Sequence, residues 1–487
     1  MELTTAQLDR ACGVLLATAA GDALGAGYEF GPPLPTDAAV EMKGGGGFGW
    51  APGEWTDDTS MALAIAETAA RGAGLRTTAA QDAVVARWCA WSTQAKDIGI
   101  QTSRVLGAVR KGTAAEALAE SRVLHESTGR TAGNGSLMRT APVALAFLDD
   151  PDGLTEAAAA VSALTHFDPE AGEACVLWCH AMRHAVLSGA LDIQTGLDRL
   201  PAASRARWAE RLTAAEHGRP RDFASNNGWV VAALQAAWSA IVTTPVPEDE
   251  PAARRFRAGH LRLALENAVR GGKDTDTVAA IAGGLLGAVY GASAVPAHWR
   301  LLLHGWPGLR AAGLIDLASA IAVGATDNPV YDSYPPPVTV AHPDDPGVLL
   351  GDIAAVRALP AGVTAVVSLC RVGEQDRAAI AAQTPNWLQV RLIDKDDPAE
   401  NRNLDFVLDD TVSAIEHLRA EGHVVFVHCV HAHSRTPTIG ALYAMRRTGA
   451  SPAAAIAAMV RALPGADPNG AFRFALDRAA RVQADTR

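Results

Sequence analysis

The sequence predicts two domains of different class, a mainly α-helical one followed by a smaller α/β one. Three observations predict it. Over residues 1 to about 325, Ala-rich apolar segments with charged faces alternate with Gly, Pro and Asp/Ser clusters, and alternating β-branched runs are few. Around NPVYDSYPPPV (328–338), three consecutive prolines impose extended chain that continues neither a helix nor a central strand. Beyond them, short β-branched runs alternate with helical stretches, the texture of a layered α/β fold. The expected division is 1–329, a Pro-rich linker at 330–337, and 338–487.

Length and composition fit this division. A chain of 487 residues exceeds one ordinary core, and 49% apolar with 20% charged residues supplies a large buried interior. The formal charge of -11, with no long Lys/Arg run, excludes the electrostatic footprint of sequence-specific nucleic-acid binding. Six cysteines without paired C-x-x-C spacing, and an N-terminus without a secretory pattern, lead to the expectation of a reducing cytoplasm. Val278 to Val295 carries no charge, yet it is rich in Ala and Gly, and Gly283, Gly287 and Gly291 would admit another backbone. A buried helix is therefore expected there, and no membrane span. No repeat of solenoid period occurs.

The first domain holds two similar acidic helix starts. GEWTDDTSM (53–61) and GGKDTDT (271–277) each set aspartates and threonines immediately before an apolar helical run. Asp and Thr accept bonds from free N–H groups at a helix start, so capping is one reading. One cap needs one residue. Adjacent carboxylates repel unless a cation offsets them, so metal binding is the other reading. Thr56, Asp57, Asp58, Asp274, Asp276 and Thr277 form an all-oxygen donor set suited to Mg²⁺, Mn²⁺ or Ca²⁺, with charge enough for two ions about 3.5–4 Å apart.

Five blocks in order resemble the ADP-ribosylglycohydrolase family, which includes the dinitrogenase reductase activating glycohydrolase. They are GVLLATAAGDALGAGYEF (13–30), GEWTDDTSM, GNGSLMRTAP (133–142), ALTHFDPEAGEAC (163–175) and GGKDTDTVAAIAGGLLGAVYG (271–291). The resemblance spans about residues 10–325. It implies an all-α fold, two Mg²⁺ or Mn²⁺ ions and hydrolysis of an N- or O-glycosidic bond to ADP-ribose on a protein or small-molecule acceptor. By the same resemblance the six oxygen donors become metal ligands and Glu29 becomes the carboxylate acting on water. Asp22 is a supporting group or a cap. Gly133, Asn134, Gly135, Ser136 and Met138 become the substrate loop, where glycines permit close backbone approach and N–H groups before a helix suit anions. His166 either contacts the ribose or sits as a satisfied core histidine.

In the second domain, strands are expected within TAVVSLC (364–370), WLQVRLI (387–393) and HVVFVHC (423–429), and helices near 404–420 and 436–448. HCVHAHSRT (428–436) then places Cys429 after a strand, with Arg435 and Thr436 opening a helix. Such a loop cradles an anion and favours a thiolate, Arg435 offers a bidentate fork for a phosphoryl group, and Thr436 can donate to the sulfur. This His-Cys-x5-Arg-Thr arrangement resembles the dual-specificity and protein tyrosine phosphatases over about 338–487, as do GVLLGDIAAV and VVSLCR. The resemblance implies a phosphorylated substrate and an aspartate general acid. By spacing from the strand, Asp397 ranks first, Asp396 second and Asp394 third. Ala432 stands where many relatives have Gly, and His431 and His433 add bulk. A metal site from His428, Cys429, His431 and His433, or a merely structural cysteine, are the alternatives. The expected whole is a bifunctional hydrolase; the alternative is an ADP-ribose or phosphate sensor with one or both modules inactive.

Overall fold

The computed structural model describes residues 2–324 and 336–480, and the linker expected at 330–337 lies mostly outside the described residues. The chain divides into two compact units, Met1–Pro245 with His260–Val295 and Leu302–Thr326, and Val246–Gly259 with Pro296–Leu301 and Asp327–Arg487. Two short segments that the sequence reading assigns to the first domain thus group with the second. Their bonds within that unit give the reason: Ala297 N donates to Asp410 Oδ2 (2.8 Å), and Arg254 Nε donates to Asp409 Oδ1 (3.0 Å).

The first unit is helical, apart from a two-residue hairpin pairing His304–Gly305 with Leu309–Arg310. At its centre the Thr5–Gly25 and Thr275–Tyr290 helices run antiparallel in backbone contact. A Cβ added to Gly13 would lie 2.3 Å from the Gly287 carbonyl oxygen, and one on Gly21 would lie 2.1 Å from that of Ala279. One on Gly283 would lie 2.1 Å from the Ala17 oxygen. Any side chain at these positions would drive the helices apart. Gly291 has a different task, ending the second helix at φ 89° against Asp9. Thr5–Tyr28 is long and apolar enough to cross a membrane by length and composition, but 89% of its apolar window is buried inside the protein. The Val278–Val295 stretch becomes a helix ending at Tyr290 followed by a turn, Ala292–Ala294.

This packing positions the acidic residues. The antiparallel pairing brings Gly25 onto the start of the partner helix, where Thr275 Oγ1 donates to the Gly25 carbonyl (2.9 Å). Asp22, one turn earlier, accepts from Thr56 N (2.9 Å), Thr59 N (2.9 Å) and Thr59 Oγ1 (2.6 Å). The start of the Asp57–Ala70 helix is therefore tied to the same corner.

The second unit carries a five-stranded sheet in spatial order Thr339–His342, Asp345–Asp352, Val425–Cys429, Ala365–Ser368, Trp387–Gln389. The first pair is antiparallel and the rest are parallel. Alternation along the central strand sends Val425 and Val427 to one core with Leu350, Val367 and Ile439, and Phe426 to the opposite core with Val366 and Ile380. The expected helices form as Leu404–Ala420 and Arg435–Thr448.

Gly287→Val tests the central packing, because its Cβ would meet the Gly13 oxygen at 2.0 Å. Denaturant unfolding should show a loss of about 3 kcal/mol or more. The same change at Gly72, which has nothing within 4 Å, should cost less, its penalty arising only from φ 75°.

Candidate active sites

Three helix ends converge on one buried acidic centre in the first unit. Thr56 Oγ1 lies 3.2 Å from Asp58 Oδ2, and Thr277 Oγ1 donates to the same oxygen at 3.3 Å across a sequence separation of 219. Glu29, Asp274 and Asp276 have carboxylate oxygens within 4.8 Å of one another. Asp22, Asp57, Asp58 and Asp276 are all buried. The two acidic stretches foreseen in the sequence do meet.

Capping by the N-cap residue itself accounts for neither start, although at the second Asp276 Oδ1 accepts from Thr277 N (2.9 Å). Neither Thr56 nor Asp274 makes a side-chain capping bond, whereas Thr77, Thr113, Asp150 and Asp168 do so on ordinary helices of the same unit. Capping at the first start comes instead from Asp22 of another helix. The carboxylates of the two starts crowd one centre. Glu29 Oε2 and Asp58 Oδ1 are buried without any hydrogen-bond partner.

Electrostatics follows from this crowding. Burial, then the charges of Asp97, Asp274 and Asp57, push Glu29 up to about 9. Burial, then Asp97 and Asp22, push Asp57 up to about 8. Asp58 is raised well above the carboxylate range by burial, Asp22 and Asp57, and Asp276 by burial, Glu29 and Asp58. Asp22, raised to about 6 by burial, is partly relieved by its bonds from Thr59 and Thr56. Unpartnered buried carboxylate oxygens, with no imidazole or thiolate in the set, fit hard divalent cations.

Asp97 was not foreseen. It lies in a loop between helices without any pattern around it, and only folding brings its charge to bear on Glu29 and Asp57. Asn227 was missed likewise: its Nδ2 donates to the Gly272 carbonyl (3.0 Å), and its Oδ1 accepts from Asp274 N (3.3 Å).

The Gly133–Met138 segment abuts the centre. Asn134 Nδ2 donates to Asp274 Oδ2 (2.7 Å) and to the Asn227 carbonyl (2.9 Å), which couples this turn to the acidic cluster. Ser136 and Met138 point inward: both are buried, and Ser136 Oγ accepts from Ser162 Oγ (2.9 Å). The His166 ring lies against Gly133 and Gly135, where an added Cβ would come within 3.2 Å and 3.1 Å of it. Burial, and secondarily Arg139, hold His166 well below the usual imidazole range, so the ring is neutral.

In the second unit, Cys429 ends the central strand, 1% exposed, and the loop returns through Ala432 at φ 56° to the Arg435 helix. That left-handed conformation explains why glycine is favoured at this position, and alanine accepts it with strain. Arg435 Nη1 donates to the Leu392 carbonyl (3.2 Å), and its Nε lies 3.6 Å from Asp394 Oδ2. Asp394 Oδ1 accepts from Asn469 Nδ2 (3.0 Å). Asp396 accepts from Ala471 N (3.1 Å), and Asp397, ranked first by spacing, accepts from Ala399 N (2.9 Å) within its own exposed turn. The strand ends at Gln389, and the loop that follows it brings Asp394 close to Arg435. Thr436 Oγ1 donates to the Gly351 carbonyl at 3.2 Å, which engages its one proton away from the sulfur.

The alternative metal site does not assemble. His428 is fully buried with Nε2 on Ser368 Oγ (2.6 Å), and burial lowers it to about 4. Among the described residues the group of three or more ligand-type side chains that converges is Glu29, Asp274 and Asp276.

Comparison with known proteins finds separate likenesses for different parts of the chain. A family model described as ADP-ribosylglycohydrolase matches residues 3–329. The ADP-ribosylarginine hydrolase Tri1 of Pseudomonas putida (strain GB-1) is 34% identical over 302 residues, covering 60% of this chain and 73% of that protein. The ADP-ribosyl-[dinitrogen reductase] glycohydrolase of Rhodospirillum rubrum is 30% identical over 309 residues, covering 60% and 89%. Dual specificity protein phosphatase 1 of Arabidopsis thaliana is 35% identical over 83 residues, covering 17% of this chain and 40% of that protein.

The raised carboxylates carry a pH signature. A group whose folded pKa exceeds its unfolded value stabilises the fold at low pH, and that contribution is lost as pH rises through the folded value. For Glu29 and Asp57 the loss runs from roughly pH 4, the unfolded range, up to about 9 and about 8. Thermal melts of chelator-treated protein should therefore show a melting temperature that falls from pH 5 to pH 9, and added Mn²⁺ should remove the fall. A melting temperature that stays level in chelator would contradict the charge crowding.

Proposed function

Because the chain belongs to the ADP-ribosylglycohydrolase family, we propose that it hydrolyses the bond between ADP-ribose and an arginine side chain of a modified protein. The chain is a hydrolase with a phosphatase-like C-terminal domain, and the family is generally metal-dependent. The observation that carries the finer reading is the Thr277–Asp58 bond joining the two acidic starts beside Glu29.

In this reading Thr56, Asp57, Asp58, Asp274, Asp276 and Thr277 hold two Mg²⁺ or Mn²⁺ ions. Such ions, when bound, supply Lewis acidity toward the sugar and offset the crowded carboxylates. With the neighbouring charges offset, Glu29, whose Oε2 has no protein partner, would be ionised and accept the proton of the water that attacks the anomeric carbon, while the bond from that carbon to the arginine nitrogen breaks and the guanidino group leaves. Asn134 holds Asp274 in place and couples the ligand turn to the centre. The arginine acceptor is supported by the printed activity of the Pseudomonas putida relative.

For the C-terminal domain we propose a cysteine-dependent phosphatase: Cys429 attacks the phosphoryl group, Arg435 binds its oxygens, and Asp394 protonates the leaving group. The Asp394–Arg435 approach of 3.6 Å supports Asp394 over Asp397. A phosphate-sensing role is the second reading, favoured by the Arg435 bond to the Leu392 carbonyl and the near-complete burial of Cys429. A reducing compartment such as the cytoplasm is the setting proposed for both modules.

Release of ADP-ribose from arginine-linked and serine-linked substrates, with Mn²⁺ and after chelation, tests the first assignment. Arginine-linked substrate should be cleaved, chelation should abolish cleavage, and Glu29→Gln should lower kcat by about 100-fold or more. Turnover that survives exhaustive chelation, or preference for the serine linkage, would sink it. For the second, hydrolysis of an aryl phosphate should vanish in Cys429→Ser and drop about 100-fold in Asp394→Asn, with Asp397→Asn near wild type. The reverse ranking of the two aspartates would return the acid role to Asp397, and a wild-type protein without turnover would leave only the sensor.

A further inference from the structure

Behind the ligand turn of the first unit lies a buried arginine without a carboxylate partner. Arg139 is 0% exposed, with its guanidinium 3.9 Å from the centroid of the Trp88 ring. Its Nη1 lies 3.7 Å from Met61 Sδ, and its Nη2 donates to Thr165 Oγ1 at 2.7 Å. Among the described residues it forms no ion pair. A guanidinium in that position is therefore used as a donor, and its recipient is Thr165.

The proton on the Thr165 hydroxyl then has one place to go. Guanidinium groups only donate, so Thr165 Oγ1 is the acceptor toward Arg139. The same oxygen lies 2.7 Å from His166 Nδ1, and Thr165 is fully buried with no third side-chain partner among the described residues. Were His166 to donate from Nδ1, the hydroxyl proton would be sealed in without an acceptor, contrary to the way buried polar groups are satisfied. The hydroxyl thus donates to Nδ1, and the neutral ring carries its hydrogen on Nε2. Nε2 is the ring atom nearest the missing Cβ of Gly133, at 3.2 Å, and it has no protein partner among the described residues. Glycine at 133 and 135 keeps the space in front of this ring open.

We propose that Arg139 is a positioning residue of the ligand site: acting through Thr165, it sets His166 in the Nε2–H form, so that the ring offers a donor to an oxygen of ADP-ribose lying over the Gly133–Gly135 turn. The ligand half of this statement rests on the functional reading above; the tautomer half stands on the hydrogen bonds alone. The direction of the relay is set by the one member that cannot accept.

Nitrogen NMR of the full chain, with the His166 signals identified by their loss in His166→Gln, reads the tautomer directly. The wild type should show a protonated Nε2 and an accepting Nδ1. Thr165→Val keeps the side-chain shape and removes the relay. It should mix the tautomers, weaken binding of free ADP-ribose about tenfold and raise KM with little change in kcat, while Thr165→Ser restores all three. A wild-type ring protonated on Nδ1 overturns the proposal, as does ADP-ribose affinity unchanged in Thr165→Val. Absence of any ADP-ribose binding by the wild-type protein overturns the functional reading and the ligand half with it, while the NMR signature still judges the relay.

Discussion

The backbone contact between the Thr5–Gly25 and Thr275–Tyr290 helices is the constraint on which the catalytic unit depends. Glycines at 13, 21, 25, 283 and 287 remove the side chains that would separate the two, so carbonyl oxygens of one helix meet the α-carbons of the other. The pairing is antiparallel, and it therefore sets the C-terminal end of the Thr5–Gly25 helix beside the N-terminal end of the Thr275–Tyr290 helix. Asp22 and the Asp274–Thr277 start come together for that reason. Asp22 then recruits the third element by capping the helix that bears Asp57 and Asp58. A contact of nearly pure van der Waals character places a set of charges.

Those charges would disfavour the fold if left alone. Burial and mutual repulsion raise Glu29, Asp57, Asp58 and Asp276, and two of their oxygens have no protein partner. A protein that concentrates like charge in its interior needs a compensating cation or a bound proton, and the all-oxygen donor set suits a hard divalent ion. Around this centre the supporting polar groups are bonded to one another: Asn134 and Asn227 hold Asp274 and its loop, and Arg139, Thr165 and His166 are linked in a chain behind the glycine turn. The result separates rigid positioning from unpaired chemistry.

The phosphatase-like C-terminal unit is built differently, on a strand that ends in a tight loop and a helix, an arrangement suited to an anion. Its sheet buries both faces, so Val425, Phe426 and Val427 anchor the strand that delivers Cys429. Arg435 opens the following helix and is held by the Leu392 carbonyl while Asp394 stands near its Nε. The left-handed turn at Ala432 stores local strain at the loop.

Much of this was legible before folding. Helical periodicity and β-branched runs carry short-range information, so the two fold classes, the central strand ending at Cys429 and the helices at Leu404–Ala420 and Arg435–Thr448 follow from the residues themselves. The doubled aspartates announced Asp57, Asp58, Asp274 and Asp276 because like charges at adjacent positions are conspicuous in a chain. What the residues alone left open is every question of distance. Whether Thr56 and Asp274 cap their own helices, that Asp97 faces Glu29, and that Asp394 rather than Asp397 approaches Arg435 depend on contacts across tens to hundreds of residues. The sequence determined which groups are candidates for the chemistry; only tertiary structure decided which of them meet, because a hydrogen bond or a Coulomb repulsion depends on separation in space, and no local pattern encodes that.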